Sequence, residues 1–561
     1  MATPKYNTYV GMRYVPIFDG EWDSTKTYEP LVIVSNQGNS YTSRTFVPTG
    51  INITNTEYWA LTGNYNAQVE YYRQETARVL NIIDDCSTIY DCVADMVADE
   101  NLSNVEYCTT LGYYAPYDGG GRVYHIVDEL PTGYFININN LLYAIPMIED
   151  FVTPEMYGAY GDGTHDDTAY IQYALNSGTN VKFINTKKYK ITDTLTIENI
   201  TRKGKVIYSD AFETHRTNSI FNIYFETVKP VFVVKTDGIT FKHLTIDGTN
   251  LTTELTELTF ITTNIEAVDV DMTISECALY HFYIIASVIG RGLRFVDNVV
   301  GSCSSIADIG WKYESDEPWH DDATGMRGYI FENNRLHSIS QRDLPIINIQ
   351  SGNAYGLIFS NNVVDRGYSS LILAYENVDN IRITNNIFNG ASGRSTSYYF
   401  CQFLGNVNQL TFSDNNITSM IDTDKVNTYI YIAGTANQLE ITNNNVNKMF
   451  NGNFIECHAN VSNSNISNNI IGELVEATTN RGILLMAVAN LTISKSTFMG
   501  NIIGAIISSN ATQRYAGIVR CGDACTLDTV KANGNIVPHY QSSEMLIAVP
   551  TYTNCTFDFT T

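Results

Sequence analysis

The sequence predicts a mainly β chain whose body is a parallel β-helix, a solenoid of stacked coils. The first observation is a phrase of apolar strand, asparagine pair and apolar strand. It recurs at Phe331-Glu332-Asn333-Asn334, Phe359-Ser360-Asn361-Asn362 and Ile383-Thr384-Asn385-Asn386. It returns at Asn415-Asn416, Asn444-Asn445 and Asn468-Asn469, then as Gly500-Asn501 and Gly534-Asn535, at gaps of about 24 to 34 residues. A repeat of that length marks units that bury their apolar faces only by stacking. Second, the flanking strands alternate Ile, Val or Phe with Thr, Ser or Asn, a period of two that belongs to β-strand. Third, asparagine suits the left-handed backbone of a tight corner, and its amide can bond to amides in the coils above and below.

At 561 residues the chain exceeds one compact core, so several domains are expected. Charged residues are only 17% and tyrosines number 38, which suits a β-rich, extracellular-type surface of hydroxyls and amides. The net charge of −25 excludes nucleic acid as a partner, since phosphates need clustered Lys and Arg. Met1-Ala2-Thr3-Pro4-Lys5-Tyr6 holds no apolar run, so no secretory signal is expected, and no stretch is long and apolar enough to span a membrane. Cys277, Cys303, Cys401 and Cys457 fall inside strand patterns and read as buried thiols. Cys521-Gly522-Asp523-Ala524-Cys525 is too isolated to define a metal site, and neither metal nor cofactor is expected.

Residues 1–63 read as a small β module rich in aromatics, with Trp22, Tyr28, Tyr41 and Trp59 prominent. Those rings serve equally well as a domain core or as a sugar platform. Residues 64–105 read as a helical stalk, the helical pattern running from Asn64 to Leu111 without Gly or Pro. Its coiled-coil seam is Val69, Tyr72, Thr76, Val79, Ile83, Cys86 and Tyr90, in a self-associating, three-stranded arrangement. Residues 106–150 form a small β neck around the turn Asp118-Gly119-Gly120-Gly121. The β-helix occupies 151–540, and 541–561 is a β tail.

The β-helix opens on Gly161-Asp162-Gly163-Thr164-His165-Asp166-Asp167-Thr168, followed by a helical run containing Ile171-Gln172. Asp166 or Asp167 is expected to cap that helix. A phosphate loop would need Lys-Ser/Thr, and a calcium loop a different ligand spacing. This motif resembles the opening of the pectate-lyase-like superfamily, where in phage tailspikes it caps the first coil of a right-handed parallel β-helix. Leu244-Thr245-Ile246-Asp247-Gly248 resembles that family's early coils and the asparagine repeats its later ones, so the likeness covers about residues 150 to 540. Trp22, Tyr28, Gly38-Asn39-Ser40-Tyr41 and Trp59 are similar to small chitin- or cellulose-binding modules found at the start of phage structural proteins. The whole chain thus resembles a phage tailspike or appendage protein. The resemblance implies a homotrimer on the virion, made in the host cytoplasm. It also implies attachment to phage tail or neck proteins through the N-terminal module, and a host cell-surface polysaccharide as partner.

Each coil places another strand before its asparagine corner, on what would be a broad exposed sheet. With apolar partners inward, Asp308, Asn348, Gln350, Gln402, Tyr431, Glu456 and His458 stack along one outer face, and Glu376 is expected to join them. A ladder of amides, carboxylates and a tyrosine suits a sugar chain. One segment interrupts the coils: Trp311-Lys312-Tyr313-Glu314-Ser315-Asp316-Glu317-Pro318-Trp319-His320-Asp321-Asp322. It holds two of the four tryptophans and follows the strand of Asp308 directly. Trp311 and Trp319 can stack on pyranose faces, with His320 and Arg342 beside them. Glycoside hydrolysis needs two carboxyl groups, about 5 Å apart for retention or about 6.5–9.5 Å for inversion. Coils rise by about 4.8 Å, so carboxylates one or two coils apart meet that requirement. Asp308, Asp343 and Glu376 are the first candidates, then Glu314, Asp316 and Asp321. Polysaccharide β-elimination, using a base with Arg342 or His320, is one alternative. A non-catalytic adhesion spike and a purely structural appendage are others.

Overall fold

The computed structural model describes residues 16–63, 73, 88–100, 102, 107–139, 141–147, 150–198, 204–211, 214–251, 258–263, 271–289, 292–310, 326–339, 344–350, 354–367, 370–391, 397–418, 426–450, 452–475, 483–487, 490–507, 517–521, 525–536, 547–548 and 551–560. The chain divides into two units. One comprises residues 1–91, 95–110 and 123–146, and the other 92–94, 111–122 and 147–561. Among the described residues no helix is long and apolar enough to cross a membrane.

The first unit begins with a four-stranded sheet of Ile17–Glu21, Val32–Asn36, Asn39–Ser43 and Trp59–Gly63. Gln37 and Gly38 both take positive φ (49° and 82°), the geometry a two-residue hairpin turn requires. Tyr28 and Trp59 meet edge to face at 5.2 Å and are buried with Val34, Val47 and Ile53. Trp22 and Tyr41 pack partly buried against that core. Tyr28 and Trp59 are therefore core rings and cannot form a sugar platform. Trp59→Ala is expected to remove about 3–5 kcal/mol from this module. An early unfolding transition in a denaturant titration checks it.

The same unit holds a five-stranded sheet ordered Thr88–Tyr90, Tyr107–Thr110, Arg122–Val127, Tyr143–Pro146 and Ile136–Asn137. Here the expected long helix is corrected. Thr88–Tyr90 is a strand parallel to Tyr107–Thr110, and the α-helix among the described residues between them is the short Val93–Ala98. A β-branched and aromatic triplet gains more from pairing than from helix, and Tyr90 is buried with its hydroxyl donating to Asp99 at 2.5 Å. The other seam residues, Val69 to Cys86, lie outside the described residues.

The second unit is a right-handed parallel β-helix. Strands pair with their equivalents one coil on, as in the buried column Phe359, Ile383, Phe412, Ile441, Ile466 and Phe498. At its start the helix Thr168–Asn176 buries Ile171, Ala174 and Leu175. The two aspartates divide the expected capping role. Asp166 Oδ1 accepts from the Thr168 amide (3.1 Å) and hydroxyl (2.6 Å). Buried Asp167 makes no cap bond and instead ties back the loop, accepting from the Tyr160 and Gly161 amides at 2.7 and 3.1 Å. The thiols of Cys277, Cys303, Cys401 and Cys457 are all buried.

The asparagine corner uses two residues for two tasks. The left-handed position is taken by Asp297, Asn333, Asn361, Asn385, Asp414, Asn443, Asn468, Gly500 and Gly534, with φ between 56° and 64°. The next residue builds the ladder: Asn298, Asn334, Asn362, Asn386, Asn415, Asn444, Asn469, Asn501 and Asn535, each no more than 1% exposed. Every Nδ2 from Asn298 to Asn501 donates to the Oδ1 one coil on at 2.8–3.2 Å, and the matching backbone amide donates to that same oxygen. Two of the expected pairs therefore shift by one residue. The working pairs are Asp414-Asn415 and Asn443-Asn444, while Asn416 and Asn445 start the next strands, exposed. Aspartate tolerates the left-handed region nearly as well as asparagine, which hid Asp297 and Asp414 from a pattern of paired asparagines.

Candidate functional site

One sheet of the β-helix takes a single strand from each coil, including Ile284–Val288, Ser305–Ile309, Ile347–Ile349, Ile372–Ala374, Ser397–Phe403, Val426–Ile432 and Ile455–Cys457. Its inward column runs Ala307, Ile347, Ile372, Cys401, Ile430 and Ile455. The outward column, one residue on, runs Ser287, Asp308, Asn348, Leu373, Gln402, Tyr431 and Glu456. Gln350 and His458 stand at the next outward position of their strands, after the inward Ile349 and Cys457. Described coils carry two successive buried residues in this sheet or at its edge, such as Leu371-Ile372, Phe400-Cys401 and Tyr429-Ile430. The first fills the corner of the core and the second starts the alternation, so Leu373 faces out.

Asp308 lies on the outer side of the sheet yet is only 5% exposed. Asn348 Nδ2 donates to its Oδ1 at 3.3 Å, and the Gln350 side chain bonds to it as well. Burial dominates these bonds and pushes its carboxyl up to about 7. Its two neighbours in the column are also buried, and among the described residues Ser287 Oγ and Asn348 Oδ1 have no hydrogen-bond partner. Unsatisfied buried polar atoms are rare and costly. Three stacked polar side chains, two with an unused oxygen, thus surround one protonatable carboxyl.

Farther along the column the chemistry changes. The Tyr431 ring lies 4.4 Å from Tyr399 and 4.9 Å from His458. Glu456 is buried, accepting from His458 Nε2 at 3.0 Å through Oε1, and from Thr428 (3.3 Å) and Asn453 (3.2 Å) through Oε2.

Glu376 does not join the column. It follows Tyr375 at the exposed corner, where its backbone stacks under Gly405; a Cβ on Gly405 would come within 2.5 Å of the Glu376 carbonyl. Two strand steps and three residues separate it from Asp308, a backbone offset of about 14 Å. The coil between Asp308 and Asn348 is 40 residues long, against 25 and 29 in later coils, so the interruption sits where the sequence placed it. Trp311, Glu314, Asp316, Trp319, His320, Asp321, Arg342 and Asp343 lie outside the described residues. Sequence reasoning missed Ser287 and Tyr399. Ser287 was reachable by carrying the strand alignment one coil back; Tyr399 was hidden by the two buried residues that follow it.

No family model matches the chain. Over 104 residues it is 32% identical to the capsule K30/K69-specific depolymerase of Klebsiella phage K64-1, a match covering 18% of this chain and 14% of that protein. Among solved structures, the enzymatically active domain of bacteriophage CBA120 tailspike protein 2 is similar over 83% of this chain and 61% of its own, at 14% identity and a TM-score of 0.37. The tailspike protein of Acinetobacter baumannii phage AM24 is similar over 83% and 64%, at 11% identity and 0.32. PfbA, a surface adhesin of Streptococcus pneumoniae, is similar over 70% and 96%, at 13% identity and 0.39. This chain therefore spans about one seventh of its curated relative and under two thirds of the two tailspike structures.

Proposed function

We propose that the chain is a phage tailspike that recognises a host cell-surface polysaccharide and cleaves it by hydrolysis, with Asp308 as the proton donor. The observation that carries this reading is the buried Asp308 carboxyl on the outer side of a solenoid sheet, flanked by polar atoms of Ser287 and Asn348 that have no hydrogen-bond partner among the described residues. A general acid must hold its proton near neutral pH and give it to the leaving glycosidic oxygen, which burial of Asp308 supports. The second carboxyl, acting on water or on the anomeric carbon, comes from Asp343, Glu314, Asp316 or Asp321. These segments leave the strand of Asp308 or lead into that of Asn348, and carry Trp311, Trp319, His320 and Arg342. The likeness to a capsule-specific depolymerase supports the same substrate class. On this reading the protein is a homotrimer that attaches to phage tail or neck proteins through residues 1–63. An adhesion spike without catalysis is the second reading, favoured by Glu376 standing at a corner, out of pairing reach of Asp308.

Incubation with purified bacterial capsular and cell-wall polysaccharides tests both. New reducing ends without unsaturated products are expected. Unsaturated uronate products would replace hydrolysis by elimination, binding without cleavage would leave the adhesion spike, and no binding would sink the proposal.

A further inference from the structure

We infer that Tyr399, Tyr431, His458 and Glu456 form a separate subsite that binds an uncharged pyranose, several sugar units away from the bond at Asp308. The inference rests on the glycan-binding reading above. Asp308 and Glu456 share one outward column but are five strand steps apart, through Asn348, Leu373, Gln402 and Tyr431. At about 4.8 Å per step that is about 24 Å. Paired carboxyls in glycoside cleavage stand about 5–9.5 Å apart, so Glu456 has no part in the bond at Asp308.

The site is nevertheless built. Glu456 is 9% exposed on the outer side of the sheet, and a buried carboxylate is tolerated only when its oxygens are bonded. His458 holds one oxygen while Thr428 and Asn453 hold the other, which fixes the group in place. Asn453 is fully buried, and its Oδ1 has no partner among the described residues. Beside this carboxylate three rings adjoin: Tyr399 against Tyr431 at 43° and His458 against Tyr431 at 52°. Tyrosine faces pack against the C–H face of a pyranose, while the phenol and a carboxylate take up its hydroxyls.

Charge selects the class of sugar. From Asn348 to Tyr431 along the column, and at the next outward position from Gln350 to Ala433, there is no lysine or arginine. Among the described residues, a uronate or phosphorylated sugar here would face the Glu456 carboxylate with no lysine or arginine at the outward positions on its Asp308 side, and the next cation in the column is Arg520, two strand steps or about 10 Å beyond Glu456 through Met486. A neutral hexose or N-acetylhexosamine meets no such penalty.

Titrating the full chain with neutral and uronate-containing capsular oligosaccharides tests this, with Tyr431→Ala, Tyr431→Phe and Glu456→Gln alongside. Neutral oligosaccharides are expected to bind the wild type preferentially. Tyr431→Ala should weaken that binding about tenfold, whereas Tyr431→Phe keeps most of it. In the cleavage assay Tyr431→Ala should raise KM and leave kcat unchanged. Glu456→Gln, near-isosteric, should also bind more weakly, which covers a Tyr431→Ala chain that fails to fold. Wild-type affinity in both Tyr431→Ala and Glu456→Gln, or preference for the uronate set, overturns the inference while the proposed function stands. If the wild type binds neither set, the proposed function falls and takes the subsite with it.

Discussion

Asp308→Asn is expected to reduce polysaccharide cleavage by about 10²–10⁴-fold while glycan affinity stays close to that of the wild type. The substitution keeps the shape and the oxygen that accepts from Asn348 Nδ2, and removes only the transferable proton. Burial holds that proton until about pH 7, where an exposed aspartate would have lost it near pH 4. The acid form is present below about pH 7 and lost above it, so the alkaline limb of the wild-type rate profile should fall near that value. Stability follows the same proton. The folded state binds it more tightly than the unfolded chain, so stability is fully present below the ordinary carboxylate range and declines as pH rises toward about 7. Asp308→Asn escapes that decline. It should be the more stable protein at alkaline pH, and the difference should close in acid. Denaturant midpoints of the two proteins across this range check it, and equal midpoints at every pH would show that Asp308 is not a buried acid. A stable, inactive, binding-competent variant is the signature of a strained catalytic group.

Asn386→Ala carries the other large effect. Asn386 Oδ1 accepts from the Asn362 amide (2.9 Å) and side chain (3.2 Å), and its Nδ2 donates to Phe359 O (2.9 Å) and Asn415 Oδ1 (3.0 Å). Alanine removes these four hydrogen bonds from a dry column, although Asn362 Nδ2 keeps its bond to Phe331 O (2.9 Å) and Asn415 Oδ1 keeps that from the backbone amide of residue 386 (3.1 Å). A lost hydrogen bond costs about 0.5–1.5 kcal/mol and an unsatisfied buried group about 1–3 kcal/mol, so a loss of about 3–5 kcal/mol is expected. The neighbouring Asn385→Ala is the control. Asn385 is exposed and contributes only its φ of 57°, so its replacement should cost about 1–2 kcal/mol, and glycine there still less. Urea unfolding of the two variants separates ladder from corner. Comparable losses would mean that the two residues do not divide the work. Because a solenoid's stability is a sum over neighbouring coils, the deficit should centre on the coils of Asn362 and Asn415.

The outward column from Asp308 to Glu456 was legible because a strand has a period of two and coils repeat in phase. Leu373, Glu376 and Tyr399 were not, because these coils carry two successive buried residues, which shifts the alternation at that point. The helix expected through Tyr90 failed for a similar reason. A seam of mixed residues fits helical spacing, but Thr88–Tyr90 gains a partner strand about twenty residues later that no local pattern announces.

By itself the sequence determined the solenoid, the phase of its coils, the interrupted coil after Asp308 and most of the residues that face outward. These follow from periodicity and corner chemistry, which are local. Only the tertiary structure decided that Asp308 is buried, that Ser287 and Asn348 stack beside it with polar atoms unpaired among the described residues, and that Tyr399, Tyr431, His458 and Glu456 form a cluster of their own. Burial, hydrogen-bond satisfaction and the proton affinity they set depend on what stacks above, below and over a residue. Those neighbours come from coils tens of residues away.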